Sequence, residues 1–196
     1  MGTFYKKKHL GTFGDIGILS FNGNKIISTG GGGALLVKDK KNFQKALSLT
    51  KISRINNKSW NYDYNDIGYN YRMPGLNASL GISQMKKINK ILSLKKEINV
   101  KYKKLFKNNQ YFELLREIQQ TRSNHWLNTI FLFNSNLKLR DNVVSELNKK
   151  KIGVRPVWKL MHKIRHLSKF PKDNLSNSIK LEKGLINLPS SPDIYE

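Results

Sequence analysis

The chain contains no cysteine. Disulfides and thiolate metal sites are excluded, and the composition fits a reducing compartment such as the cytoplasm. Acidic residues are scarce: 13 Asp and Glu stand against 36 Lys and Arg, for a net charge of +23. No paired-carboxylate or Ser-His-Asp arrangement can be singled out. Long apolar runs are missing too, so no segment is built to span a bilayer. The basic start Met1–Lys8 has no apolar stretch behind it and does not read as a secretory signal. Internal repeats and long disordered tracts are likewise lacking. What remains is a chain of 196 residues, 38% of them apolar. That is enough for one domain or two small ones with a modest core.

The excess of Lys and Arg would ordinarily point to nucleic acid or an anionic surface. Here the lysines are scattered through every predicted element, and lysine, asparagine and isoleucine are all heavily used. Such joint enrichment reads as the compositional bias of AT-rich coding, not as a built basic patch. Specific nucleic-acid binding is not expected. Attraction of anionic substrates and cofactors is.

The most informative stretch is Ser20–Gly33, where Lys25 lies between an apolar run and four consecutive glycines. Residues 16–21 and 34–37 read as short buried strands. Lys25 is thus expected in a loop between two core strands. A lysine held there can lose its proton, because burial disfavours the ammonium form. A neutral lysine amine is the nucleophile that forms Schiff bases with aldehydes, a pyridoxal cofactor among them. In a lysine-rich chain, spacing alone leaves an ordinary solvated lysine as the competing reading. The glycines fit neither GxGxxG opening a helix nor GxxxxGK[ST]. They allow close backbone approach to a ligand, or simply a flexible turn.

Further on, Asp39 is placed to cap a helix from Lys40 to Leu49 with Phe43, Ala46 and Leu47 on one side. Residues 53–70 read as an ordered loop rich in asparagine and aromatics. Pro74 and the small residues Gly75, Ala78, Ser79 and Gly81 predict a tightly packed helix start. Ile88, Ile91, Leu92, Ile98, Tyr102, Leu105 and Phe106 predict a long helix, with lysines on a solvated face. After Asn109, strands at 126–133, 154–158 and 185–188 and a helix at 141–151 suggest a small domain of alternating strands and helices. His162 and His166 could share a helix face, but without a neighbouring carboxylate or thiol cluster no metal site is expected.

Several segments occur together in one order: Gly11-Thr12-Phe13-Gly14-Asp15-Ile16-Gly17, Ser20-Phe21, Lys25, Thr29-Gly30-Gly31-Gly32-Gly33, and the run from Gly68-Tyr69-Asn70-Tyr71-Arg72-Met73-Pro74 to Gly81. With Arg155-Pro156-Val157-Trp158, Leu160-Met161-His162-Lys163 and Ile186-Asn187-Leu188-Pro189-Ser190-Ser191, they resemble the DegT–StrS family of pyridoxal-phosphate-dependent sugar aminotransferases. The resemblance is strongest to the branch acting on UDP- or GDP-linked 4-keto-6-deoxy sugars, and it runs nearly the whole length. It implies an α/β chain of the fold-type I, aspartate-aminotransferase-like class. Residues 1–85 would be the C-terminal part of the large cofactor-binding domain. Residues 86–196 would be a long linking helix and the small C-terminal domain.

The resemblance further implies that Lys25 carries pyridoxal 5'-phosphate as a Schiff base, gives way to an amino donor (glutamate), and then moves the proton between substrate and cofactor carbons. Ser20 would donate its hydroxyl to the cofactor phosphate; a polar strand end is the alternative. Asn70 would reach the phosphate in the neighbouring subunit, which implies a homodimer with shared active sites; a turn asparagine is the alternative. Arg155 and His162 are candidates for the sugar-nucleotide end, and a structural pair is the alternative for Arg155.

The family has a large domain ahead of these motifs, with an aromatic residue stacking on the pyridine ring and an acidic partner for its nitrogen. None of these is in the sequence. The chain therefore reads as a C-terminal half: a truncated frame, a degraded gene, or a piece of a split enzyme whose N-terminal partner is a separate chain. It is expected to have little activity alone and to show unpaired sheet edges and exposed apolar surface. Two other readings stand beside it. One is a basic nucleic-acid-binding module using Trp60, Tyr62, Tyr64 and Tyr69. The other is a family member without catalysis.

Overall fold

The protein is described by a computed structural model covering residues 1–55, 60 and 62–192. Residues 56–59 and 61 of the expected 53–70 loop lie outside the described residues. The chain forms two compact units, Met1–Ile91 with Gln119–Asn124, and Leu92–Ile118 with His125–Glu196. Among the described residues no helix is long and apolar enough to cross a membrane.

The first unit opens on a hairpin of β1 (Phe4–Tyr5) and β2 (Lys8–His9), closed by Lys6 and Lys7 at φ 47° and 64°. Two left-handed central residues match the twist a two-residue hairpin needs. β6 (Thr121–Arg122) pairs on the other side of β1, and the Arg122 guanidinium lies 4.3 Å from the Phe4 ring centroid. A second hairpin joins β3 (Ile16–Ser20) to β4 (Gly33–Val37), with Ile16 opposite Val37 and Ile18 opposite Leu35. These directly opposed residues share one face.

That face is open. Ile18 is 76% exposed, and Ile16 and Leu35 are about half exposed. The expected core strands are therefore a two-stranded ribbon covered on one side only, because two strands alone cannot shelter both faces. Helix α1 (Lys40–Thr50) is capped by Asp39, whose carboxylate accepts from the Asn42 N–H at 2.8 Å. Its Phe43 and Leu47 are also exposed, and with Ile18 and Leu35 they line an apolar groove of about 560 Å³. Helix α2 (Gly75–Lys86) begins directly after Pro74.

Helix α3 (Ile88–Leu105) leads into the second unit. Ile98, Tyr102 and Phe106 form one inward row at four-residue spacing, and Leu105, off that row, is exposed. The lysine face has one exception. Lys95 is buried, its ammonium donating to the carbonyls of Ser190 (2.7 Å) and Trp126 (3.3 Å), and burial pushes its pKa down. The sheet runs β5 (Phe112–Leu114), β7 (Asn128–Leu132), β9 (Leu185–Leu188), β8 (Arg155–Pro156), antiparallel throughout. Leu114, Ile130, Leu132, Val154, Ile186 and Leu188 make its core.

Helix α4 (Leu137–Lys149) packs Val143, Val144 and Leu147 on that core, and α5 (Ser176–Gly184) feeds straight into β9. α4 starts four residues before its predicted Asp141, because the Asn136 side chain accepts the Leu139 N–H at 2.9 Å and caps it there. The strand predicted at 154–158 shrinks to Arg155–Pro156. It sits at the sheet edge and Pro156 has no N–H to donate. The strand predicted at 126–133 contracts to β7, while Trp126 stacks on Trp158 instead.

Candidate active site

At the end of β3 the chain turns through Phe21–Thr29 and returns as β4. The Phe21 N–H donates to Gly32 O (3.0 Å) and the Thr29 N–H to Phe21 O (2.9 Å), closing the neck of the loop. Within it, the Lys25 N–H donates to Asn22 O at 3.0 Å. Ile26 and Ile27 next to it are buried, 6% and 2% exposed, and Lys25 itself is half-buried. Two buried isoleucines thus fix the backbone that presents the lysine, although the flanking strands are half open. The glycine run needs left-handed backbone at Gly30 (φ 77°) and Gly32 (φ 97°), which glycine adopts without steric cost.

α2 holds the far side of this loop. Asn77 Nδ2 donates to Thr29 O at 2.5 Å, and a Cβ on Gly81 would lie 2.9 Å from the Thr29 methyl. The small residues read as a tight helix start are where the helix approaches the lysine loop. Asn77 was not singled out from the sequence. Its place after a proline-started turn was the only signal, and its partner is 48 residues away.

Ser20 is exposed at the end of β3, its hydroxyl 3.5 Å from the Asn22 N–H. His9, whose Nδ1 accepts the Gly11 N–H at 3.1 Å, has its pKa shifted down, by burial first. An amine at the centre, an exposed hydroxyl at the strand end and a side-chain-free backbone at Gly30–Gly33 fit a phosphorylated aldehyde.

Asn70 stands elsewhere in the first unit. It is exposed, bridged to Lys51, and lines a cleft in which neither Ser20 nor Lys25 takes part. Arg155 and His162 belong to the second unit. Arg155 is exposed on the edge strand, its guanidinium 5.6 Å from the Trp158 ring centroid. His162 is half-buried in the short 3-10 helix Met161–Lys163. His166 falls in a separate 3-10 helix, Arg165–Leu167, so the two histidines do not share a helix face. Among the described residues no cluster of three or more His, Cys, Asp or Glu side chains could hold a metal ion.

The family model for DegT/DnrJ/EryC1/StrS aminotransferases matches residues 1–196. The chain belongs to that family. It is 32% identical over 98% of its length to GDP-perosamine synthase of Escherichia coli O157:H7, of which it covers 51%. It is 29% identical over 96% of its length to the UDP-4-amino-4,6-dideoxy-N-acetyl-beta-L-altrosamine transaminase of Campylobacter jejuni, of which it covers 50%. In structure it is similar to Helicobacter pylori PseC, an aminotransferase involved in pseudoaminic acid biosynthesis. That match has a TM-score of 0.91 at 23% identity, over 97% of this chain and 52% of that one. The fold is that of the fold-type I sugar aminotransferases. The chain of this family member spans about half the length of the curated relatives it matches.

Proposed function

We propose that this chain is the lysine-bearing part of an aminotransferase that uses pyridoxal 5'-phosphate and acts on a nucleotide-linked keto sugar, with Lys25 as the lysine that binds the cofactor aldehyde. The carrying observation is the placement of Lys25: half-buried, in a loop closed at its neck by two backbone hydrogen bonds and anchored by Ile26 and Ile27. The named activities of the two relatives support a 4-keto-6-deoxy sugar as acceptor, in polysaccharide or glycan precursor synthesis. Glutamate completes the reading as amino donor. The same reading makes residues 1–85 the end of the large cofactor domain and 86–196 the linking helix and small domain.

When bound, pyridoxal phosphate supplies an electron-withdrawing ring that makes the carbon next to the transferred nitrogen acidic. Lys25 Nζ is the amine that would hold the cofactor at its aldehyde end. The same amine, when free, would serve as the base and then the acid that moves the proton. Ser20 Oγ–H would donate to the cofactor phosphate and hold the end remote from the chemistry. The Asn70 amide serves the neighbouring subunit's phosphate, since it stands in a separate cleft from Lys25. The working unit is then a cytoplasmic homodimer with shared sites. A separate chain that covers the open β3–β4 face belongs to the same reading. Arg155 and His162 are assigned to the sugar-nucleotide end, where an arginine fork suits phosphate.

The test is reductive trapping. The chain is mixed with pyridoxal phosphate, reduced with borohydride, digested and mapped by mass spectrometry. Selective modification of Lys25, lost in Lys25→Ala, is the expected result. Modification scattered over the surface lysines would overturn the assignment.

A further inference from the structure

We propose that Asn22-Gly23 is a self-modification site in the lysine loop: Asn22 gives up its side-chain amide through the Gly23 nitrogen, and the carboxylate left behind disables Lys25. The modification itself is independent of the cofactor reading above; its consequence for aldehyde binding rests on that reading. Asn22-Gly23 is the only Asn–Gly pair in the sequence. The reaction needs the backbone nitrogen of the following residue to reach the asparagine Cγ, and a side chain on that residue stands in the way. Glycine has none. The two Asn–Ser pairs, Asn134-Ser135 and Asn177-Ser178, carry a side chain there, and the second lies inside α5.

The structure presents the pair for attack. The turn from Asn22 to Lys25 is closed by the Lys25 N–H on Asn22 O at 3.0 Å. Asn22, Gly23 and Asn24 are exposed in it. Apart from its chain neighbours, nothing lies within 4 Å of the position a Gly23 Cβ would take. The Asn22 side chain is folded back on the next peptide. Its Oδ1 accepts the Gly23 N–H at 2.9 Å, which brings the amide carbon up to the nitrogen that attacks it. In helices and strands that nitrogen is committed to a backbone carbonyl. Here its partner is the group it attacks.

The step balances with water as the only co-reactant. The Gly23 nitrogen gives its proton to solvent base and bonds to Asn22 Cγ. The Cγ–Nδ2 bond breaks, and Nδ2 takes a proton from water and leaves as ammonia. A second water opens the five-membered imide. Opening at Cγ leaves aspartate in an unaltered chain. Opening at the backbone carbon leaves isoaspartate, with the chain running through the former side chain. Either way a neutral amide becomes a carboxylate in the turn that holds Lys25, two residues from Ser20. A carboxylate there favours the ammonium form of Lys25, which is no nucleophile, and repels the phosphate of an incoming aldehyde. In isoaspartate the turn is also one carbon longer and the Asn22 carbonyl oxygen has become part of the free carboxylate, so the bond that closes the turn is lost. The loop carries its own irreversible off-switch.

The experiment is a time course of the 196-residue chain at mildly alkaline pH. Peptide mapping by mass spectrometry scores amide converted to acid, and enzymatic methylation scores isoaspartate. Conversion at Asn22 is expected to outpace that at Asn24, which lies in the same turn but precedes a lysine, by about tenfold or more. Gly23 has no positive φ and open space around it, so Gly23→Ala fits the turn and is expected to slow conversion by about as much. The Lys25 amide is expected to exchange with deuterium several-fold faster in the isoaspartate fraction, whatever Lys25 binds. Borohydride trapping of pyridoxal phosphate at Lys25 is expected to fall several-fold in the converted chain and in Asn22→Asp, and to hold in aged Gly23→Ala. Equal conversion at Asn22 and Asn24, no slowing by Gly23→Ala, unchanged Lys25 exchange in the isoaspartate fraction, or unchanged trapping in the converted chain would overturn the proposal. If the fresh chain is not trapped at Lys25, the cofactor reading fails, and conversion together with Lys25 exchange decides this proposal by itself.

Discussion

Ile27 provides a direct probe of how the lysine is held. It is 2% exposed, Ile26 beside it 6%, and among the described residues these are the only fully buried apolar side chains of the first unit's lysine loop. Ile27→Ala removes three carbons from a packed site and is expected to cost about 3 kcal/mol, against about 1 kcal/mol for Ile27→Val. Since 1.36 kcal/mol is a factor of ten, the alanine variant would raise the open population of the loop by roughly two orders of magnitude. Hydrogen exchange reports this directly. The Phe21 and Thr29 amides, bonded at 3.0 and 2.9 Å across the loop neck, should exchange faster in the order parent, valine, alanine. Trapping at Lys25 should slow in the same order, because the amine is no longer held in one place. If the alanine variant left both amides within about twofold of the parent, Ile27 would not be the anchor and the account of Lys25 would fail with it.

Two further predictions concern the second unit. Asn128→Ala removes the acceptor for Asn99 Nδ2 (2.9 Å) and the donor to Ser190 Oγ (3.1 Å), strands a buried amide, and is expected to cost about 2 kcal/mol in urea unfolding followed by Trp126 and Trp158 fluorescence; a loss below about 0.5 kcal/mol would show that water replaces those bonds. Burial holds the pKa of His125 below its ordinary 6.5; Glu117, 3.7 Å away, pulls it back in part, and Lys103, Lys96 and Lys95 push it further down. Between that lowered value and 6.5 the unfolded chain takes up a proton that the native chain refuses, so stability should fall as pH drops through the window. His125→Gln should flatten the fall in melting temperature below about pH 6.5, and an unchanged slope would assign it to other groups.

The parts of the fold written in local pattern were legible. Asp39 before an amphipathic run marked the start of α1, and four-residue spacing marked α3. The Lys25 loop was legible because apolar runs flank it on both sides. Features set by distant partners were not. Lys95 reads as one more solvated lysine until β9 and its following residues bring the Ser190 carbonyl 95 positions along the chain to meet it. The open face of β3–β4 could not be read from Ile16 and Ile18, because an apolar strand looks the same whether or not a layer covers it. Residues 53–70 read as loop, and the left-handed pair Ile52–Ser53 falls at its start. The pair is fixed by Ser48, Gly68 and Tyr69, and nothing in Ile52 or Ser53 themselves asks for it.

In a chain of net charge +23, cation density cannot locate function. Backbone constraint can. Lys6 and Lys7 occupy a hairpin turn that imposes their geometry for its own sake. Lys95 is constrained by two carbonyls that accept from its buried ammonium, which makes it part of the packing. At Lys25 and at Lys51–Arg54 the constraint falls on the neighbours instead: buried isoleucines beside one, a strained and buried Ile52–Ser53 pair within the other. In both places the order is imposed on buried neighbours of the cationic residue. It sets these two places apart from the scattered lysines of the same chain.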